Sequence, residues 1–318
     1  MANSAPVRAQ RDHRVASVPA AATVTAVQQG PVDPGQSSHL VWEHRPQLDR
    51  PVIIAAFEGW NDAGDAASTA VKHLRDRLRA TPFARIDHED FYDFTTSRPE
   101  IELEGGTTRR IEWPRNEFSA TAPASGGVDV IMLAGIEPQL KWRTFSSDVI
   151  RVATQTNARM IITLGALLAE VAHSRPVQLF GTTDDRALVD ELGLEMSSYE
   201  GPTGIVGVLN AMSRDAGIPS ASLWAAVPSY VPGSLSPKAA LALVERVCDL
   251  LDIAVMSTDL EIASAAYERQ ITQLVTEDDE TSSYVEQLEH RYDEEAELQP
   301  TAETFVEEVE QFLRRQSE

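Results

Sequence analysis

The chain has 318 residues, 42% of them apolar, and a formal net charge of −22, which is long enough for one large core or two smaller ones. That acidity excludes nucleic acid and anionic membranes as natural partners, since both repel it. The single cysteine, Cys248, excludes an internal disulfide and a cysteine-built zinc site, and no apolar run is long enough to span a bilayer, so the chain reads as cytoplasmic.

Residues 1–38 are rich in Ala, Pro, Gln and Ser without sustained periodicity and read as a disordered tail. Ala20–Val27 has the length of a signal-peptide core, but Thr23 and Thr25 interrupt it, and Arg8, Arg11 and Arg14 lie too far away. A core domain is expected over residues 39–256. Leu40–Glu43 reads as a strand. Val52–Phe57 is a short β-branched apolar run, as expected of a strand buried on both faces. From Ala63 the apolar residues Ala67, Val71, Leu74 and Leu78 recur at helical spacing, to about Arg79. Ile86–Phe94 reads as extended, Arg109–Trp113 alternates like an edge strand or hairpin arm, and Pro114 through Gly127 reads as a loop.

A strand–helix rhythm resumes with Val128–Ala134 and a helix from Trp142 to Thr156, then a strand at Met160–Leu164. Pro176–Phe180 reads as a short strand, Asp184–Leu192 and Ile205–Ala216 as helices, and Ser222–Val227 as the last strand. This alternation predicts an α/β protein, a three-layer α/β/α sandwich around a largely parallel sheet. Ser236-Pro237 opens another helix, as N-cap and first helical residue. An acidic helical extension is expected over residues 257–318, where 18 Asp and Glu stand against 4 Arg. It comprises helices at Thr258–Val275, opened by a Thr258-x-x-Glu261 capping box, at Ser283 to about Glu297, and at Thr301–Arg315.

Three polar turns follow predicted strands: Glu58-Gly59-Trp60-Asn61-Asp62, Gly135 to Arg143, and Tyr199-Glu200-Gly201-Pro202-Thr203-Gly204. In an open α/β sheet, the carboxyl ends of parallel strands share one edge, where ligands bind. The candidate ligand or partner cleft is therefore Glu58, Trp60, Asn61, Asp62, Glu137, Arg143, Glu200, Thr203 and Gly204. The acids are candidate acids, bases or anchors, Arg143 a partner for a carboxylate or phosphate, and Gly201, Thr203 and Gly204 a source of backbone N–H groups for an anion. The same residues also suit structural work: Asn61 or Asp62 capping one helix, Thr203 capping another, Glu137 bridging Arg143.

No catalytic set emerges. There is no G-x-x-x-x-G-K-[ST], G-x-G-x-x-G or G-x-S-x-G, and the seven histidines show no H-E-x-x-H spacing, so no cofactor and no metal are expected. His173, after the Met160–Leu164 strand, reads as a loop residue or a general base.

Phe57-Glu58-Gly59-Trp60-Asn61-Asp62-Ala63-Gly64 resembles the signature turn of the proteasome assembly chaperone 2 family in its bacterial branch. Gly135-Ile136-Glu137-Pro138, Leu164-Gly165-Ala166-Leu167-Leu168-Ala169-Glu170-Val171 and Tyr199-Glu200-Gly201-Pro202-Thr203-Gly204 resemble further blocks of that family. The resemblance implies a phosphorylase/hydrolase-like α/β/α fold, homo-oligomers such as trimers, and a chaperone or scaffold whose partners are proteasome subunits or other protein clients. Some such factors dock through a hydrophobic-Tyr-x tail, whereas this chain ends Arg315-Gln316-Ser317-Glu318. Bacterial members have also been labelled carboxylate–amine ligases, for which no ATP motif is present here. The alternative is a small-molecule binder or enzyme, hydrolase/phosphorylase-like or a ligase, using the same cleft.

Overall fold

The computed structural model describes residues 39–105, 108–121 and 127–298, all within one compact unit. In chain order the first elements are β1 (Leu40–Trp42), β2 (Val52–Glu58), a 3-10 turn at Ala63–Asp65, α1 (Ala66–Arg77), β3 (Thr81–Ile86), β4 (Glu100–Glu104), β5 (Thr108–Glu112), β6 (Asn116–Ala120) and β7 (Val130–Ile136). They are followed by α2 (Trp142–Gln155), β8 (Met160–Ala169), β9 (Leu179–Thr183), α3 (Arg186–Leu192), β10 (Glu195–Met196), α4 (Ile205–Asp215) and β11 (Ser220–Pro228). Three helices complete the described chain: α5 (Pro237–Leu251), α6 (Thr258–Thr276) and α7 (Asp279–Leu298).

A nine-stranded sheet runs in the order β1-β3-β6-β7-β2-β8-β11-β9-β10. Its centre, β7-β2-β8-β11, is parallel. Six of the seven residues of β2 are buried, because helices cover both faces of the sheet. On one face α1 and α5 bury Val71, Leu74, Leu243 and Val247 against Val52, Ile54 and Ile162. On the other, α2 and α4 bury Phe145, Val149, Ile205 and Leu209 against Ile53, Phe57 and Leu133. The architecture is the expected α/β/α sandwich.

Several local expectations are corrected. The sheet is mixed, since β1, β3 and β6 continue it antiparallel on one side and β9 runs antiparallel to β11 on the other. The strand expected within Ile86–Phe94 lies earlier, at β3, and residues 87–94 form turns. The loop expected after Pro114 contains β6, whose Phe118 and Ala120 are buried. Helix α6 begins differently from the predicted capping box: Thr258 is already helical, and Glu261 accepts from the Ser257 hydroxyl at 3.0 Å. Ser236 precedes Pro237 of α5 without a side-chain cap bond. The predicted tail at 1–38 and helix at Thr301–Arg315 lie outside the described residues.

A buried cluster of Tyr267, Ile271, Val275 and Val285 packs helices α6 and α7 against Tyr230 and Val231 in the turn after β11. Polar anchors add to it. Lys238 Nζ donates to the carbonyls of His173 and Arg175 and pairs with Glu268, while Arg175 holds Asp293 with two 2.7 Å bonds.

Candidate functional site

The three polar turns meet at one carboxylate. Strands β2 and β7 are parallel neighbours with Glu58 beside Ile136, so their following turns leave the sheet side by side. Glu137 N–H donates to the Glu58 carbonyl at 2.9 Å, which turns the Glu137 side chain toward the first residues of α4. Its Oε1 accepts from Asn61 Nδ2 at 3.0 Å and from the Ile205 backbone N–H at 2.9 Å. The Trp60 N–H approaches Oε2 at a longer 3.4 Å. A negative charge thus sits on the positive end of the α4 dipole and satisfies one of its orphan N–H groups, supplied from 68 residues away.

Two glycines make this approach possible. Gly59 has φ +127°, a conformation glycine adopts without penalty, and it turns the chain out of β2. Gly204 has ordinary extended dihedrals, but a Cβ there would lie 2.2 Å from Asn61 Nδ2 and 2.7 Å from Glu137 Oε1. Asn61 is tied to the sheet as well, its carbonyl accepting from Ala166 N–H at 2.8 Å. Asp62 works on the neighbouring helix: its Oδ1 accepts from Ala67 N–H at 2.7 Å and Ser68 N–H at 3.2 Å at the start of α1. Its other oxygen is buried with no hydrogen-bond partner among the described residues, and burial holds the carboxyl above its ordinary pKa.

Beside this knot opens a groove of about 1370 Å³ between α4 and the strands β8, β11 and β9. Its edge is apolar and exposed: Trp60, Leu167, Phe180, Met196 and Tyr199. Tyr199 holds its own turn, donating to the Pro202 carbonyl at 2.8 Å. The floor is polar. Asn210 Nδ2 donates to Ser222 Oγ at 2.6 Å and to Thr163 Oγ1 at 3.2 Å, and the two hydroxyls lie 2.8 Å apart. Arg214 pairs with Asp184 at 2.9 Å on the wall, which also carries Glu195 and Glu200.

The structure divides the nine residues singled out from sequence. Trp60, Asn61, Glu200, Thr203 and Gly204 line the groove. Glu137 and Asp62 do not line it: Glu137 Oε1 accepts from the Ile205 N–H and Asn61 Nδ2, and Asp62 Oδ1 from the N–H groups of Ala67 and Ser68. Glu58 pairs with Lys72 at 2.5 Å. Arg143 is exposed on α2 and makes no ion pair among the described residues, so the expected Glu137–Arg143 bridge does not form. Thr203 does not cap α4: Gly204 is the N-cap and Glu137 takes the N–H. Sequence reasoning missed Phe180 and Met196, which the antiparallel return of β9 brings to the groove, and Asn210 and Arg214, which α4 supplies. Leu167 carried a signal, because the apolar run of β8 continues past Leu164 into residues that still pair with β11 but extend past the pairing with β2.

His173 lies elsewhere. It is 4% exposed, with Nδ1 2.7 Å from Tyr230 Oη and Nε2 2.9 Å from Thr272 Oγ1, and burial lowers its pKa. Among the described residues no group of His, Cys, Asp and Glu is arranged to hold a metal, and no helix is long and apolar enough to cross a membrane.

Comparison with known proteins gives these features a context. A PAC2 family protein of Streptomyces avermitilis is 43% identical, with a TM-score of 0.69, over 74% of this chain and 99% of its own. The proteasome-assembly chaperone homologue Rv2125 of Mycobacterium tuberculosis is 44% identical, with a TM-score of 0.67, over 74% and 99%. The archaeal proteasome activator PbaB of Pyrococcus furiosus shares the fold at 18% identity, with a TM-score of 0.62, over 74% and 97%. No curated protein matches the chain. A model of the PAC2 family matches residues 56–275, which span the three turns, the groove and the helix that follows the sheet. The chain belongs to the PAC2 family.

Proposed function

We propose that the chain is a cytoplasmic, non-enzymatic chaperone or scaffold that works as a homo-oligomer, and that the groove beside Trp60 holds an exposed segment of a protein client. The observation that carries this is the groove's edge. Trp60 is 66% and Tyr199 69% exposed, and Leu167, Phe180 and Met196 stand open beside them. Large aromatic and sulfur side chains gathered on a surface mark a protein-binding face, because their burial drives association and their few rotors cost little entropy. Glu137, Asn61 and Asp62, three of the polar groups singled out by sequence, are committed to holding the turns and helices together, which fits a rigid platform. The likeness to a proteasome-assembly chaperone homologue makes proteasome subunits the first clients to try.

The test is cross-linking and co-purification of the full chain with proteasome subunits, comparing wild type with a Trp60→Ser, Tyr199→Ser double variant. Capture that falls at least tenfold in the double variant supports the proposal. Failure of the wild type to capture any proteasome subunit or assembly intermediate overturns the client assignment.

The polar floor of Asn210 and Ser222, with Thr163 buried behind it, favours a second reading, a small-molecule site. Thermal shift against nucleosides, phosphate, amino acids and carboxylates separates the two, since a specific ligand raises the midpoint by mass action and a pure scaffold shows no such rise.

A further inference from the structure

The register of the sheet orders the floor of the groove. Glu195 of β10 pairs with Thr182 of β9, and Thr182 with Ser222 of β11. Residues directly opposite each other share a face, so these three form one row. Asn210 of α4 marks that face as the groove's by its 2.6 Å bond to Ser222. The next row on the same face is aromatic, with Phe180 opposite Trp224. A polar stripe thus crosses the floor beside an apolar one and ends in a carboxylate at the edge of the sheet. The turn at Tyr199 brings a second carboxylate, Glu200, to the wall.

The charges of the groove are unbalanced. Glu195 and Glu200 are exposed and make no ion pair among the described residues. Arg214 is the only cation lining the groove among the described residues, and Asp184 at 2.9 Å and Asp215 at 3.5 Å hold it. The start of α4, where a helix dipole draws anions, already has its Ile205 N–H bonded to Glu137. An anionic ligand therefore meets carboxylates and finds both of its natural seats taken. A cation meets two carboxylates that lack a counter-charge, near aromatic rings whose faces also attract it. Size adds to the argument. At about 1370 Å³ the groove is larger than the roughly 300–1,000 Å³ usual for a small-molecule pocket, and it suits a segment of chain.

We infer that the groove selects a protein segment in which a lysine or arginine lies among large apolar residues. The cation sits against Glu195 and Glu200, and the apolar side chains pack on Trp60, Phe180 and Leu167. Acidic segments are turned away. Charge here supplies selection more than adhesion, because exposed ion pairs are weak and apolar burial is common to every segment that fits. This rests on the proposed client groove and names the chemistry it reads, whichever protein supplies the segment.

The test is fluorescence anisotropy of short labelled peptides with the full chain. Three peptides share one pattern of Leu and Phe and differ only in carrying Lys, Gln or Glu at the same two positions. The Lys peptide should bind about tenfold more tightly than the Gln peptide and the Glu peptide most weakly, with a preference that shrinks as salt rises. A chain of net charge −22 attracts any cationic peptide, so two variants that each remove two charges are compared, with circular dichroism to confirm folding. One is Glu195→Gln, Glu200→Gln in the groove, and the other is Glu286→Gln, Glu297→Gln at exposed positions of α7. The groove variant should bind the Lys and Gln peptides alike, while the α7 variant keeps the wild-type preference. Equal loss of preference in both variants would assign it to the overall charge and overturn the proposal. Equal binding of all three peptides by wild type would overturn it as well, while leaving the groove as a client site. Failure of every peptide to bind also overturns it, and capture of proteasome subunits then decides the client assignment by its own readout.

Discussion

The carboxylate of Glu137 accepts the first backbone N–H of α4, from Ile205, at 2.9 Å, and the same oxygen accepts from Asn61. One side chain therefore fastens the turn after β2, the turn after β7 and the helix that walls the groove. Glu137→Ala leaves the 3%-exposed Asn61 amide and the Ile205 N–H without their acceptor. A loss of about 2–4 kcal/mol in stability to urea is expected, with Glu137→Gln, which keeps an oxygen in place, losing about 1 kcal/mol. Amide exchange should quicken first at Ile205 and Val206. Equal losses in the two variants would show that charge, not the hydrogen bonds, holds the knot.

Gly204 tests the same contact from the other side. Its φ of −95° and ψ of −169° suit any residue, so the only objection to a side chain is space. Gly204→Ala puts a methyl group 2.2 Å from Asn61 Nδ2, which forces the turns apart. The expected cost is about 1–3 kcal/mol, measured by urea unfolding. A variant as stable as wild type would mean that the turns separate freely.

The anchor at His173 makes the packing of α6 and α7 depend on pH. Its network assigns one tautomer: Tyr230, whose hydroxyl pKa is pushed up to about 12 chiefly by burial, donates to Nδ1, and Nε2–H donates to Thr272. Glu289, Lys238 and Glu268 also face the ring, and burial is the leading cause that lowers its pKa. A histidine with a depressed folded pKa contributes stability that is fully present above its unfolded value of about 6.5 and is lost as pH falls through the lower folded value. Protease cleavage within 258–298 should therefore rise as pH drops from 7 to 5, before the sandwich unfolds. His173→Gln, which cannot take up the proton, should flatten that profile. An unchanged profile in the variant would place the sensitivity elsewhere.

How much of this was legible in the sequence depends on how far each partner lies along the chain. Val52–Phe57 announced a central strand because a β-branched apolar run has few other uses, and adjacent parallel strands then brought the turns at Glu58 and Glu137 together. The duty of Glu137 was invisible, because its helix lies 68 residues on and nothing local distinguishes a remote cap from a catalytic acid. Strand β6 was hidden by Pro114 and by its short length. The antiparallel flanks were hidden because alternation records which faces are buried and not which way a strand runs. The groove's far wall at Phe180 and Met196 needed that direction, so the sequence revealed the inner half of the site and not the outer.

The edge of the groove yields the last prediction. Trp60 leaves most of its surface in water, and its ring takes no part in the Glu137 knot, where only its backbone N–H approaches. Removing it should therefore leave the fold almost untouched, within about 0.5 kcal/mol of wild type, as expected of an exposed position. Its loss from a binding face should be large, since an aromatic anchor at the centre of an interface contributes about 2 kcal/mol or more. Trp60→Ser should accordingly keep the wild-type urea midpoint while weakening capture of a client at least tenfold. Tyr199→Phe offers a sharper comparison, because it keeps the apolar ring but loses the bond to Pro202 that holds the turn. If the rings supply the adhesion, the phenylalanine variant keeps most of its capture and the serine variant does not. Retention of full capture by Trp60→Ser would move the client from this groove to another face of the molecule.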